Sequence, residues 1–259
     1  MSFLNAIAQR LHLGNQYAAT REVYVRLRVK AGTRIAQVET YPERREQIDN
    51  EHLHLLLKLM LRPDANCIDA GAHDGKFLAD MVEAAPLGHH IAYEPLPDYA
   101  SRLRGRFPNV DVREAAVCDT NGTTTFNYVS NIPSMSSLRP GKSFLYPRPP
   151  EVQQLTVRTE RLDDHVPSGY VPSLIKVDVE GAQMLVFKGA EQTITAHRPI
   201  VIFEHGLLNA WDYEFTSEDV YRFLVKQAGL RIFDLDGNGP YSVGDFAKAR
   251  YYWQWVAKP

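Results

Sequence analysis

Two short stretches carry side chains able to handle a proton or a cation. In "IKVDVEG" the carboxylates Asp178 and Glu180 stand two residues apart at the end of an apolar run, so an extended chain would point both to one face. In "FEHG" a second apolar run ends on Glu204 and His205. Carboxylates beside an imidazole suit removal of a hydroxyl proton by a general base. They also suit a divalent cation of the magnesium class, although an oxygen-rich set fits that ion better than histidine does. Structural uses stay open: Asp178 can neutralise Lys176 or cap the next helix, and an isolated histidine is often structural.

A third stretch, "CIDAGAHDGKF", places Gly71 and Gly75 between an apolar run and the start of a helix. Gly71 permits a tight turn, and Gly75 lets a helix begin close to a ligand with free N-terminal amides aimed at an anion. Glu94 follows 23 residues after Gly71, at the end of the next apolar run, where a carboxylate can accept both hydroxyls of a ribose. Turn, helix and carboxylate in this register point to an adenosine cofactor. A dinucleotide site needs a glycine in the middle of the fingerprint, and His73 occupies that place. A nucleotide-dependent oxidoreductase or epimerase is therefore disfavoured but open, as is a non-catalytic module that keeps the cofactor fold.

Such residues meet only if strands deliver them to one edge. "NCIDAG", "HHIAYEP" and "NVDVREAAVCD" read as strands separated by the helices "GKFLADMVEAA" and "PDYASRLRGRF", which implies parallel pairing with right-handed crossovers. Beyond Gly122, "TTTFNYVSN" and "QQLTVRTERL" enclose a loop rich in Pro, Ser and Arg, a β-hairpin-like insertion. Its Ser134, Ser136, Ser137, Arg139, Tyr146 and Arg148 offer hydroxyl and guanidinium groups that match a sugar. The sheet resumes with "SLIKVDVEG", helix "AQMLVFKGAEQTITAHR", strand "PIVIFEHG", helix "SEDVYRFLVKQAG" and the strands "LRIFDLDG" and "YYWQWVAKP". The expected architecture is a doubly wound α/β sheet with helices on both faces and the ligand at the carboxyl ends of its strands.

Residues 1–62 read as an N-terminal extension to a domain covering 63–259. The extension begins with a short amphipathic helix, Phe3, Leu4, Ile7 and Leu11 on one face, so that residues 1–13 offer weak peripheral contact with a membrane or partner. "VYVRLRVKAG" follows as a strand with Arg26, Arg28 and Lys30 on one face, and "NEHLHLLLKLML" as a helix over 50–61. With 29 basic against 31 acidic residues there is no global field for nucleic acid, and none is expected as a partner. Cys67 and Cys118 lie in apolar runs, and "MSFLNAIAQRLHLG" lacks a secretory pattern. A reducing, cytoplasmic setting is expected.

Taken together, "CIDAGAHDG", "AYEP", "AAVCD", "SMSSL", "RLDDHV", "LIKVDVEGAQMLVFKGAE" and "PIVIFEH" resemble, in order and spacing over residues 66–205, the FkbM family of S-adenosylmethionine-dependent methyltransferases. The resemblance implies a class I methyltransferase fold, Rossmann-like, with seven strands of which the last is antiparallel. It implies that Gly71, Ala72, His73 and Gly75 wrap the methionine part of S-adenosylmethionine, Glu94 the ribose, and Ala116, Val117 and Asp119 the adenine. Asp69, Pro95 and Asp178 belong to the same cofactor site. Methyl transfer to a hydroxyl of a sugar or secondary metabolite follows, with Asp178, Glu180 and His205 as catalytic candidates, and as ligands if a magnesium-type ion is used. Ser134, Ser136, Ser137 and Glu204 are expected to face this small-molecule or glycan acceptor.

Overall fold

The computed structural model of the protein describes residues 41–140, 149–206, 213–249 and 254–259. The chain forms two compact units, Met1–Ile48 and Asp49–Pro259. The strand and amphipathic helix expected within residues 1–40 lie outside the described residues, as do Tyr146 and Arg148.

Seven strands build the main sheet: β1 (Asn66–Ala70), β2 (His90–Tyr93), β3 (Asp111–Arg113), β7 (Pro172–Val177), β8 (Ile200–Glu204), β9 (Arg231–Asp234) and β10 (Gln254–Lys258). Their order is β3-β2-β1-β7-β8-β10-β9; all pairs are parallel except those of β10, which runs antiparallel to both β8 and β9. This is the seven-stranded class I methyltransferase arrangement that the resemblance implies. A smaller sheet, in the order β4-β6-β5, joins β4 (Ala116–Val117), β5 (Gly122–Val129) and β6 (Val152–Glu160). The last two form the expected antiparallel hairpin.

The sheet has a core on each face because consecutive strand residues point opposite ways. Ile68, Ala70, Val201 and Phe203 face one core, where they meet Val186, Phe187, Ile194 and Leu224. Cys67 and Ile202 face the other, packed with Leu53, Leu57, Leu78, Met81 and Leu103. Strands covered on both sides are buried nearly end to end, as β1 and β8 are. Leu53 and Leu57 come from α1 (Tyr41–Met60), Leu78 and Met81 from α2 (Lys76–Ala84), and Leu103 from α3 (Pro97–Arg106). Helix α1 begins nine residues before the expected Asn50, because its polar first half has helix-forming residues and an early proline but no apolar stripe to reveal it.

Three other expectations change. "NVDVREAAVCD" is not one strand: β3 stays in the main sheet and β4 leaves for the small one. The helix after Gly181 is broken at Ala190 into α5 (Gln183–Gly189) and α6 (Glu191–His197); the short α4 (Leu162–His165) precedes β7. At the break Gly189 passes so close to the Cys118 carbonyl that a Cβ would lie 1.9 Å from its oxygen. Helix α7 (Ser217–Tyr221) continues as a π-helical turn over Arg222–Gln227, and a short α8 (Val243–Lys248), capped by Ser242, went unread because it spans less than two turns. Among the described residues no helix is long and apolar enough to cross a membrane.

Candidate functional site

In chain order the sheet runs outward from β1 through β2 to β3, then returns to place β7 on the other side of β1. The carboxyl ends of β1 and β7 therefore flank the point where such sheets bind ligands. Gly71 leaves β1 at φ 88°, and a Cβ there would sit 1.9 Å from the Asp178 carbonyl oxygen. The Asp178 amide donates back to the Ala70 carbonyl at 3.0 Å, so the two segments are tied backbone to backbone.

The turn's amides are largely taken up by protein. Those of Gly71 and Ala72 both donate to the Tyr93 carbonyl at 3.0 Å, that of His73 to Glu94 Oε2 at 2.8 Å, that of Gly75 to the Ala72 carbonyl and that of Lys76 to Asp74 Oδ1. The expected row of free N-terminal amides for an anion is thus not formed by these residues. Gly75 (φ 77°) also has a different reason to be glycine: a Cβ would strike the Leu103 and Phe107 side chains, so it admits α3 against α2. His73 takes φ 47°, its ring stacked on Tyr99 at 4.6 Å.

Glu94 is buried and accepts amides from both His73 and, at 2.9 Å, Leu96. Burial pushes its carboxyl up to about 7, against the pull of those two amides. Each oxygen keeps a further lone pair for a hydroxyl. Ala116 packs with Leu96, two residues beyond Glu94, which brings the β4 segment to the same end; Val117 is buried beside it, and half-buried Asp119 accepts from the Cys118 thiol at 3.4 Å.

On the other side, β7 ends at Val177, so Asp178 and Glu180 do not share a strand face as their spacing suggested. A turn brings them together instead, with Glu180 at φ 49° and Gly181 at φ 88°. One carboxylate oxygen from each of Asp178, Glu180 and Glu204 lies within 4.8 Å of the others. Lys176, a buried lysine, reaches under this cluster: its Nζ donates to the Gly71 carbonyl at 3.0 Å and stands 3.2 Å from Asp69 Oδ1 and 3.4 Å from Asp178 Oδ2. Burial works against the ammonium, but Asp69 and Asp178 outweigh it and hold Lys176 above its ordinary value. Burial first, and the neighbouring Asp178 second, push Glu180 up to about 8. By surface area Glu180 is half-buried.

His205 stands apart from the carboxylate cluster. Its Nδ1 meets Gln183 Nε2 at 3.0 Å, its Nε2 meets Ser217 Oγ at 2.9 Å, and its ring stacks on Phe246 at 5.1 Å. Burial lowers it to about 4, so the ring is neutral. With both nitrogens engaged, it is Glu204 that completes the group with Asp178 and Glu180. Gln183, Ser217 and Phe246 were not singled out in the sequence; the one available signal was Gln183, a polar residue inside the apolar run "AQMLVF".

In the hairpin loop Ser134 is exposed. Ser136 Oγ accepts the Val129 amide at 3.0 Å and Ser137 Oγ donates to the Arg139 carbonyl, so both hydroxyls brace the loop itself. The Arg139 guanidinium lies over the Tyr213 ring at 5.3 Å.

Two named relatives share this chain's sequence at similar levels. The 2-O-methyltransferase NoeI of Sinorhizobium fredii is 28% identical over 160 residues, covering 55% of this chain and 64% of its own. Methyltransferase sdnD of Sordaria araneosa is 28% identical over 177 residues, covering 57% and 68%. Among solved structures, methyltransferase FkbM from Methylobacillus flagellatus aligns with 77% of this chain and 45% of its own at 15% identity and a TM-score of 0.49. The chain thus spans less than two thirds of NoeI and under half of that FkbM structure. The family pattern described as the methyltransferase FkbM domain matches residues 69–232, well over half of the sequence, and the protein belongs to that family.

Proposed function

We propose that the protein is an S-adenosylmethionine-dependent O-methyltransferase acting on a hydroxyl of a carbohydrate or of a glycosylated or secondary-metabolite acceptor. The observation that carries the reading is the chemistry of the first turn. Its amides are engaged by protein, while Glu94, Asp178, Glu180 and Glu204 offer carboxylate oxygens around it. Such a set suits a cationic ligand with a diol, as S-adenosylmethionine is, and offers little to a pyrophosphate. The oxidoreductase alternative loses support for that reason. Family membership supports methyl transfer, and the relative named a 2-O-methyltransferase supports oxygen as the methylated atom.

When bound, S-adenosylmethionine supplies a methyl group already activated on sulfur, so the protein's main task is alignment. Glu94 holds the ribose hydroxyls, and the Gly71–Asp178 contact sets the distance between the donor turn and the carboxylates. Burial and the neighbouring Asp178 favour the protonated form of Glu180, which would let it donate a hydrogen bond. Asp178, steadied by Lys176, would accept the proton of the acceptor hydroxyl. His205 fixes the end of β8, and so Glu204, through Gln183 and Ser217.

The donor set also favours a second reading of the cluster. Three carboxylates are an all-oxygen set of the kind that binds a magnesium-class cation, which would make the acceptor hydroxyl more acidic. In either case the catalytic domain takes in, besides residues 63–259, the part of α1 that carries Leu53 and Leu57 into its core, and the enzyme works in the cytoplasm. The test is mass spectrometry of a panel of methyl glycosides incubated with the protein and S-adenosylmethionine bearing a deuterated methyl group. A single labelled product is expected; no label anywhere, with no affinity for S-adenosylhomocysteine by calorimetry, would overturn the reading.

A further inference from the structure

Lys176 is a lysine with almost no surface, placed where its cost is high and its neighbours are informative. An ammonium has three N–H donors, and three oxygens surround this one: the Gly71 carbonyl at 3.0 Å, Asp69 Oδ1 at 3.2 Å and Asp178 Oδ2 at 3.4 Å. Phe77, from the first turn of α2, covers it at 5.4 Å from its ring centroid. Neutralising Asp69 would need only the second of these contacts. The other two join the backbone of the donor turn to the side chain of the carboxylate cluster. They do so beside the point where the missing Cβ of Gly71 lets the two segments touch.

We propose that Lys176 is a positioning residue that registers the Gly71 turn to the Asp178 carboxylate, and so shapes the part of the site that receives the amino-acid end of the cofactor. The inference rests on the S-adenosylmethionine reading above. Glu94 accepts from the His73 and Leu96 amides and feels the Lys176 ammonium only as a minor through-space charge, so the effect of losing it falls chiefly on the amino-acid end of the ligand.

Two ligands separate this from a general structural role. S-adenosylhomocysteine has the amino-acid end and 5′-methylthioadenosine lacks it, while both keep the adenosine. Calorimetry of the full chain with each ligand is compared between the native protein and Lys176→Gln. Where that variant does not fold, as judged by thermal denaturation, Lys176→Met, which keeps the buried apolar stem and removes the ammonium, takes its place. The expected result is about tenfold or greater loss of affinity for S-adenosylhomocysteine with 5′-methylthioadenosine within about threefold of native, the size of a lost charged hydrogen bond. Equal losses for both ligands, or no loss for either, would overturn the positioning role. Native protein that binds neither ligand would overturn the cofactor reading itself and this inference with it.

Discussion

Gly71 and Asp178 touch backbone to backbone: a Cβ on Gly71 would lie 1.9 Å from the Asp178 carbonyl oxygen, while the Asp178 amide donates to the Ala70 carbonyl next door. Glycine is needed there twice over, for that approach and for a φ of 88°. Gly71→Ala is therefore expected to destabilise the domain by about 2–4 kcal/mol and to abolish measurable S-adenosylhomocysteine binding. Thermal denaturation with calorimetry checks both; an alanine variant of native stability would contradict the contact.

The proposed contact of Glu94 with the ribose would link cofactor affinity to pH. Its carboxyl is raised from an ordinary 4.5 to about 7, mainly by burial. A raised carboxyl contributes stability that is fully present below its unfolded value near 4.5 and is lost as pH rises through about 7. Ligand binding runs the other way, because ribose hydroxyls donate to the ionised form. Affinity for S-adenosylhomocysteine should fall as pH is lowered below about 7. Glu94→Gln should weaken binding by about tenfold to a hundredfold and flatten that dependence. Titrations across the neutral range decide between this and a purely structural glutamate.

Asp178 and Glu180 are assigned the proton chemistry. Asp178→Asn with Glu180→Gln should reduce methyl transfer by about a hundredfold or more, the usual scale of general-base loss, with the fold retained. Transfer of the deuterated methyl group, followed by mass spectrometry, reads the rate. Unchanged transfer would move the base elsewhere.

His205 acts through packing, with both nitrogens engaged and its ring on Phe246. Ser217→Ala removes one partner and should cost about 1–2 kcal/mol of stability while leaving methyl transfer within about threefold of native. A collapse in rate at unchanged melting temperature would return His205 to the catalytic group.

A magnesium-class cation among Asp178, Glu180 and Glu204 predicts that magnesium chloride raises the melting temperature of chelator-treated protein. The rise should vanish in Glu180→Gln/Glu204→Gln. No rise in the native protein removes the cation and leaves Asp178 as the base.

Much of the architecture was legible because burial leaves a local trace. "NCIDAG", "HHIAYEP" and "PIVIFEHG" are short apolar runs between helical segments, and they became parallel strands of one sheet, β1 beside β2 and β8 across β7 from β1. The placing of Glu94 against the Gly71 turn was legible from its distance to Gly71, since one helix and one strand separate the two strand ends. The break at Ala190 was not, because it answers to a carbonyl at Cys118, which is distant in sequence. Asp178 and Glu180 were paired correctly on an incorrect geometry: a turn, and not strand alternation, joins them.

The sequence by itself determined the family, the strand-and-helix alternation and the carboxylates that stand at the strand ends, because residue type and spacing are local properties. Only the tertiary structure decided which groups are already engaged. Tyr93 and Glu94 take up the amides of the first turn, Gln183 and Ser217 hold His205, and Lys176 ties Gly71 to Asp178. Hydrogen bonds and buried charge pairs act over a few ångströms between residues up to about a hundred positions apart in this chain, such as Gly71 and Lys176, and that proximity exists only once the sheet has formed.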